Sequence, residues 1–318
     1  GAPDVAAMYD HALATGGPAL RAMTFHDRAR MLKALAQYLS ARKNELYELS
    51  YLTGATKSDS WIDIDGGIGT TFVFASKGRR EMPDAHVYLD GDVEMLSRHG
   101  SFVGQHVCTP LQGVAVHINA FNFPVWGMLE KLAPTLLAGM PAIVKPATVT
   151  GYLTEAAFRM IIESGLLPDG AVQLVSGRLG PLLDMLGPQD AVSFTGSAVT
   201  GAMLRGTPNL IERSVRFSAE QDSLNATILG PDVMVGDPEF DLFIEEATGE
   251  ITAKAGQKCT AVRRILVPKV LRQPVAEALR AALDDVAIGA PRLKEVGMGA
   301  LAGGGQKQDV LAKCEMFK

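Results

Sequence analysis

The sequence predicts an α/β protein: a doubly wound parallel sheet followed by the start of a second α/β domain. Three observations carry that prediction. From residue 113 onward, short strand-like runs alternate with helical patterns of roughly ten to fifteen residues, the signature of β–α–β units. The runs are continuously apolar, as strands covered on both faces are, and do not alternate polar with apolar. Near residue 222 the pattern changes, with "NATILG" giving way to the Pro/Asp-rich "PDVMVGDPEF", and a domain change is placed there.

In chain order, the first eighty residues carry helical periods. Ala29, Met31, Leu32, Leu35, Ala36 and Leu39 fall on one face of "DRARMLKALAQYLSARK", with Lys and Arg on the other. Residues 86–112 turn to short alternating segments broken by "RHGS", which predicts a β-hairpin and suggests an oligomerisation arm. Then "GVAVHINA" reads as strand, "WGMLEKLAPTLLAG" as helix and "PAIVKPA" as strand. "TEAAFRMIIESGLL" reads as helix, and "AVQLVSG" and "AVSFTGS" as strands. Beyond the boundary a helical pattern runs from Phe243 through Ala247 to Ile251, "RRILVP" is strand-like, and "LAGGGQ" is expected to be a flexible loop. Residues 1–221 are thus assigned to one domain and 222–318 to a second.

Composition narrows the partners. With 47% hydrophobic and 20% charged residues, the chain reads as globular, and a net charge of −5 without a basic block gives no support to nucleic-acid or anionic-membrane binding. No apolar stretch reaches the length of a membrane span. Cys108, Cys259 and Cys314 are odd in number and widely spaced, which fits neither a disulfide framework nor paired zinc ligands. A cytoplasmic protein with a small-molecule partner and no metal is expected. The opening "GAPDVAAMYD" suggests a start inside a larger protein.

Five positions bear chemistry, each with a plainer alternative. Cys259, in "GQKCTAVRR", follows a glycine and an amide side chain on a loop where a thiolate can be stabilised and reached; a cysteine is also a common buried filler. Ser197, in "FTGSAVTG", ends a strand and opens a helix, where unpaired N–H groups and a positive dipole end attract phosphate; serine is equally an ordinary N-cap. Lys145, in "VKPAT", stands at a strand's carboxyl end, where doubly wound sheets bind ligands, or is simply solvated. Asn122, in "NAFNFP", can donate its amide to an oxyanion or fill a turn. Glu220 ends "VRFSAE" and is either a general base or a surface carboxylate. His117, among apolar residues, reads as a sheet histidine. The dinucleotide fingerprint G-x-G-x-x-G is absent.

Together the blocks "NAFNFP", "EKLAPTLLAGMPAIVKPA", "VSFTGSAVTG", the Glu of "AE" and "GQKC" stand in an order that resembles the aldehyde dehydrogenase superfamily, from about residue 10 to the end. Within it, "ALRAMTF", "DSWIDIDGGIGT" and "AGQKCTAVRR" are most similar to the dehydrogenase domains of the bifunctional ring-opening enzymes of bacterial phenylacetate degradation and their benzoyl-CoA relatives. Those enzymes oxidise semialdehydes carried on coenzyme A thioesters, usually with NADP. The resemblance implies an aldehyde dehydrogenase fold with a Rossmann-like cofactor domain, a homo-oligomer, and in the phenylacetate enzymes a following C-terminal hydratase domain.

It also implies roles. Cys259 is the nucleophile that forms a thiohemiacetal and then a thioester, Asn122 donates to the oxyanion, and Glu220 is the general base. Lys145, Pro146, Thr148, Phe194, Gly196 and Ser197 fall on the cofactor-binding blocks. Many NAD-preferring relatives have a Glu three residues after the lysine; Thr148 stands there, so NADP is expected, with NAD possible. The usual Glu-Leu-Gly-Gly reads "EQDS" here; the closer relatives share the Asp-Ser-Leu-Asn that runs from Asp222, so the departure marks a subfamily. The chain stops at Lys318, before the family's Glu-x-Phe-Gly-Pro block, so the second domain is expected to be truncated to its N-terminal part. Two alternatives stay open: a CoA-acylating dehydrogenase, in which a thiol replaces water, and a non-catalytic nucleotide-binding or assembly module.

Overall fold

The computed structural model describes residues 4–317, and packing groups them into two units. The first holds the chain through Lys43 and then Ile64–Gln221. The second joins Asn44–Asp63 to the chain from Asp222 onward, so the segment 44–63, assigned by sequence to the first domain, packs with the second unit.

The opening helices are α1 (Val5–His11), a π-turn at Ala12–Gly16, α2 (Gly17–Arg21), α3 (Phe25–Ser50) and α4 (Lys57–Arg80). The apolar stripe of α3 is inside, with Ala29, Leu32, Leu35, Ala36 and Leu39 all buried. Both long helices begin with a reciprocal capping box. Thr24 N donates to Asp27 Oδ2 at 3.0 Å while Asp27 N donates to Thr24 Oγ1 at 3.1 Å. Thr56 and Asp59 repeat the pattern at 2.9 and 3.2 Å. Strands β1 (Tyr88–Met95) and β2 (Val103–Cys108) then form an antiparallel hairpin, most of whose side chains are exposed.

The β–α alternation follows in order: β3 (Ala115–Ile118), α5 (Trp126–Leu137), β4 (Ala142–Lys145), α6 (Gly151–Glu163), β5 (Val172–Leu174), α7 (Leu182–Met185), β6 (Ala191–Gly196), α8 (Ala198–Arg205), α9 (Pro208–Glu212) and β7 (Arg216–Gln221). The five strands make one parallel sheet ordered β5-β4-β3-β6-β7. All four residues of β3 are buried, because the central strand is covered on both faces. Val114, Val116, Ile118, Val192 and Phe194 pack into one cluster with Val5, Leu182 and Leu186. On the other face His117 meets Thr135 of α5. Buried Asp190 closes the amino end of the sheet, taking Val114 N and Gly187 N at 2.6 Å each and the Tyr9 hydroxyl at 2.9 Å.

In the second unit, β8 (Ala226–Ile228) pairs in parallel with β9 (Arg264–Leu266). Helices α10 (Pro238–Thr252) and α11 (Arg272–Asp284) build its core from Phe240, Ile244, Ala247, Leu271, Val275 and Leu279. A last helix, α12 (Gly304–Met316), corrects one expectation: it begins inside "LAGGGQ", which is therefore only partly loop. Gly304 and Gly305 stand at its first positions, where flanking "QKQDVLAKCEM" supplies good helix formers and two glycines are tolerated.

Candidate active site

The sheet grows outward from β3 in both directions, to β4 and β5 on one side and to β6 and β7 on the other. The carboxyl ends of β3 and β6 therefore flank a topological switch point, where open α/β sheets leave a crevice. Parallel register sets Ile118 opposite both Lys145 and Phe194, and Thr195 opposite Glu220. Lys145, Ser197 and Glu220 thus lie along one sheet edge because each ends, or just follows, a strand of this unit.

Lys145 is half-buried and its Nζ donates to Pro146 O at 2.9 Å. Burial holds this ammonium below the usual lysine range. After buried Pro146 the chain makes a 3-10 turn over Thr148–Thr150, with Thr148 exposed. Ser197 is exposed and caps α8, its Oγ accepting Thr200 N at 3.2 Å. Gly201 lets α8 lie close to β7, since a Cβ there would meet the Gln221 side chain at 2.6 Å. Phe194, one of the residues on the cofactor-binding blocks, is 4% exposed and packs in the core under the edge. It lies on the same face of β6 as Val192, two residues away, and both turn inward.

Asn122 sits half-buried on the loop between β3 and α5. Two threonines around the start of α6 pin that loop: Thr150 Oγ1 donates to Phe121 O and Thr154 Oγ1 to Pro124 O, each at 2.9 Å. Glu220 is exposed and lines a cavity of about 310 Å³ with His117, Glu130, Lys131, Thr135 and Ser193. Lys131 Nζ donates to Glu130 Oε1 at 3.0 Å. His117 is fully buried, and desolvation, helped by the charge of Lys131, pushes its pKa down to about 3.

Asn119 was not singled out by sequence. It follows β3, donates its N–H to Lys145 O at 3.0 Å, and is 5% exposed. Its side-chain Oδ1 and Nδ2 have no hydrogen-bond partner among the described residues. A buried amide with unspent capacity at the switch point is suited to a ligand or an ordered water. The available signal was a polar residue directly at a strand's carboxyl end.

In the second unit Cys259 is exposed, not buried as a filler would be. It lies on the loop between α10 and β9, just after a left-handed run at Lys254, Ala255 and Gly256 with φ of +55°, +53° and +72°. Asn225, which precedes β8, fixes the far side of the loop: its Nδ2 donates to Cys259 O, and its own carbonyl accepts Arg263 N at 2.9 Å and Arg264 N at 3.1 Å. Among the described residues, no group of three or more His, Cys, Asp or Glu is arranged to hold a metal ion, and no helix is long and apolar enough to cross a membrane.

Comparison with known proteins bears on this arrangement. The chain is 45% identical over 305 residues to 3,4-dehydroadipyl-CoA semialdehyde dehydrogenase from Aromatoleum evansii, a match covering 96% of this chain and 59% of that protein. Its fold superposes with a TM-score of 0.84 on the crystal structure of a putative aldehyde dehydrogenase from Burkholderia cenocepacia at 25% identity, over 98% of this chain and 61% of the other. Betaine aldehyde dehydrogenase from Staphylococcus aureus, solved in complex with NAD+, gives 0.81 at 22% identity over 96% and 59% of the two chains. The chain spans about three fifths of the length of these curated relatives and of the alpha-ketoglutaric semialdehyde dehydrogenase of Bacillus subtilis, to which it is 27% identical. The aldehyde dehydrogenase family itself matches residues 1–318, and with that sheet edge and cysteine loop in hand the conclusion is direct: this chain belongs to the aldehyde dehydrogenase family.

Proposed function

We propose that the protein oxidises an aldehyde to a carboxylic acid with NADP, and that the substrate is a semialdehyde carried on a coenzyme A thioester of aromatic-acid catabolism. The observation that carries this reading is the strand-end row of Lys145, Thr148 and Ser197 beside a switch point, in a chain 45% identical to a CoA-semialdehyde dehydrogenase. The donors suit a phosphate-bearing dinucleotide: an ammonium, two exposed hydroxyls, the N-terminus of α8 and the unpartnered Asn119 amide. Thr148 offers a neutral hydroxyl where a carboxylate would repel a 2′-phosphate. When bound, the cofactor supplies the hydride acceptor.

The protein's own part follows from the motif order. The Cys259 thiolate adds to the aldehyde carbon, forming a C–S bond as the carbonyl oxygen becomes an oxyanion. The Asn122 amide and the Cys259 N–H donate to that oxyanion. After oxidation to the thioester, Glu220 takes a proton from water, and the hydroxide displaces the thiolate to release the acid. Exposure of both Cys259 and Glu220 is in keeping with groups that must meet substrate and water. The exposed apolar side chains of the β1–β2 hairpin, among them Val93, Met95 and Val107, support a role as an oligomerisation arm. A hydratase domain following in the same polypeptide and a cytoplasmic location belong to the same proposal.

The test is product analysis with a CoA-linked semialdehyde, NADP or NAD, and with or without added free CoA. Acid formed with NADP and without free thiol supports the reading. Product formed only when free CoA is present would instead assign a CoA-acylating dehydrogenase.

A further inference from the structure

We propose that Asp59 is a positioning residue for the cysteine loop, its carboxylate fixing the left-handed turn at Lys254–Gly256 and through it the presentation of Cys259. The inference rests on the reading of Cys259 as the nucleophile. It starts from a conformational anomaly. Lys254 and Ala255 are consecutive residues with side chains, both at positive φ, a backbone that L-residues adopt singly and at a penalty. Something outside the local sequence must hold them there.

Asp59 is the group in contact. It is 4% exposed and divides its two oxygens between distant jobs. Oδ2 accepts Thr56 N and Thr56 Oγ1, each at 2.9 Å, which completes the capping box of α4. Oδ1 accepts Lys254 N at 2.7 Å, across 195 residues of sequence. A residue needed only to cap a helix has no use for the second bond. The Lys254 side chain is itself 6% exposed, and the negative charges of Asp59 and Asp63 favour its ammonium against the burial that disfavours it.

The effect passes along the loop in two short steps. The other side of the same residue, Lys254 O, accepts Gln257 N at 3.1 Å and Gln257 Nε2 at 2.9 Å. Gln257 Oε1 in turn accepts Ala302 N at 3.0 Å, and Arg263 Nη2 donates to Gly256 O at 2.9 Å. Cys259 is two residues beyond Gln257. The loop is therefore clamped on its near side by Asp59 and on its far side by Asn225, leaving the thiol outward between two fixed points.

The experiment compares Asp59→Asn, Ala255→Gly, and the double variant in the whole protein. The readouts are the rate of Cys259 alkylation by iodoacetamide, resolved from Cys108 and Cys314 by peptide mass spectrometry, and the melting temperature. An asparagine keeps the shape but offers one acceptor where two sets of donors converge, so Asp59→Asn is expected to slow alkylation of Cys259 about tenfold, the population change that the penalty of a left-handed L-residue implies. Glycine at 255 removes part of that penalty and does not touch the cap of α4. The double variant is therefore expected to recover the alkylation rate and not the melting temperature. A wild-type rate in Asp59→Asn would overturn the proposal, as would a double variant that recovers neither quantity. If Asp59→Asn does not fold, Ala255→Val with Asp59 intact puts a β-branched residue at positive φ and is expected to slow alkylation to a similar degree; an unchanged rate would overturn the proposal. Because alkylation is read at the thiol, it scores the loop separately from the nucleophile reading, which fails if Cys259→Ala still turns over aldehyde.

Discussion

His117 ties the stability of the first unit to pH in a way that can be worked through. Its ring is fully buried beside Thr135 and near the positive charge of Lys131, and its pKa falls to about 3. In the unfolded chain the same histidine titrates near 6.5. The folded state therefore keeps the ring neutral, while the unfolded state takes up a proton as pH drops below about 6.5. The contribution is fully present above that pH and is lost as pH falls toward 3. Between pH 7 and pH 5 the linkage amounts to about 2 kcal/mol of lost stability from this one group. Urea denaturation of wild type and His117→Gln at both pH values isolates it, since every other titrating group is common to the two proteins. The wild type should lose about 2 kcal/mol more than the variant over that interval. Equal losses would show that the ring is not held neutral, and the burial argument for this strand would be refuted.

Other outcomes follow from the same geometry. Asp190→Ala removes the acceptor from the buried Val114 N–H and from the part-buried Gly187 N–H and Tyr9 hydroxyl, and should cost about 3 kcal/mol in chemical denaturation; a loss under about 1 kcal/mol would contradict the assignment of those bonds. Thr148→Glu places a carboxylate where the 2′-phosphate is proposed to sit, a repulsion of roughly 1–4 kcal/mol depending on solvent access. The ratio of kcat/KM for NADP over NAD should fall accordingly, and an unmoved ratio would remove Thr148 from cofactor choice. Gly256→Ala adds a side chain at φ +72°, within 3.3 Å of Ile251 O; it should lower stability by about 1–2 kcal/mol and slow Cys259 alkylation, read as above.

What the sequence disclosed depended on the range of the interaction. The strands "AVHI" and "AIVK" were legible because burial on both faces favours near-continuous apolar runs, "AVSFTG" because its buried Val192 and Phe194 alternate with half-buried neighbours, and the α3 stripe because a helix repeats locally. The places of Lys145, Ser197 and Glu220 on strand ends came from the same signal. The boxes "TFHD" and "TKSD" carry cap spacing in the sequence itself and fix the starts of both long helices. Other features had no local signal. Nothing in "TAKAG" before Gly256 announces two left-handed residues, since the group that holds Lys254 lies 195 positions upstream. Likewise the grouping of 44–63 with the second unit is made by bonds such as Asp59 to Lys254 and Arg292 to Glu48, which no window of sequence contains.

The central claim is that Cys259 attacks the aldehyde. Its most direct measurement is steady-state NADPH formation from a CoA-linked semialdehyde by the wild-type protein and by Cys259→Ala, with NADP binding measured on both. The variant is expected to bind NADP as the wild type does and to lose turnover by at least about a thousandfold, the scale on which removal of a covalent nucleophile acts. Undiminished NADPH formation by the variant would contradict it.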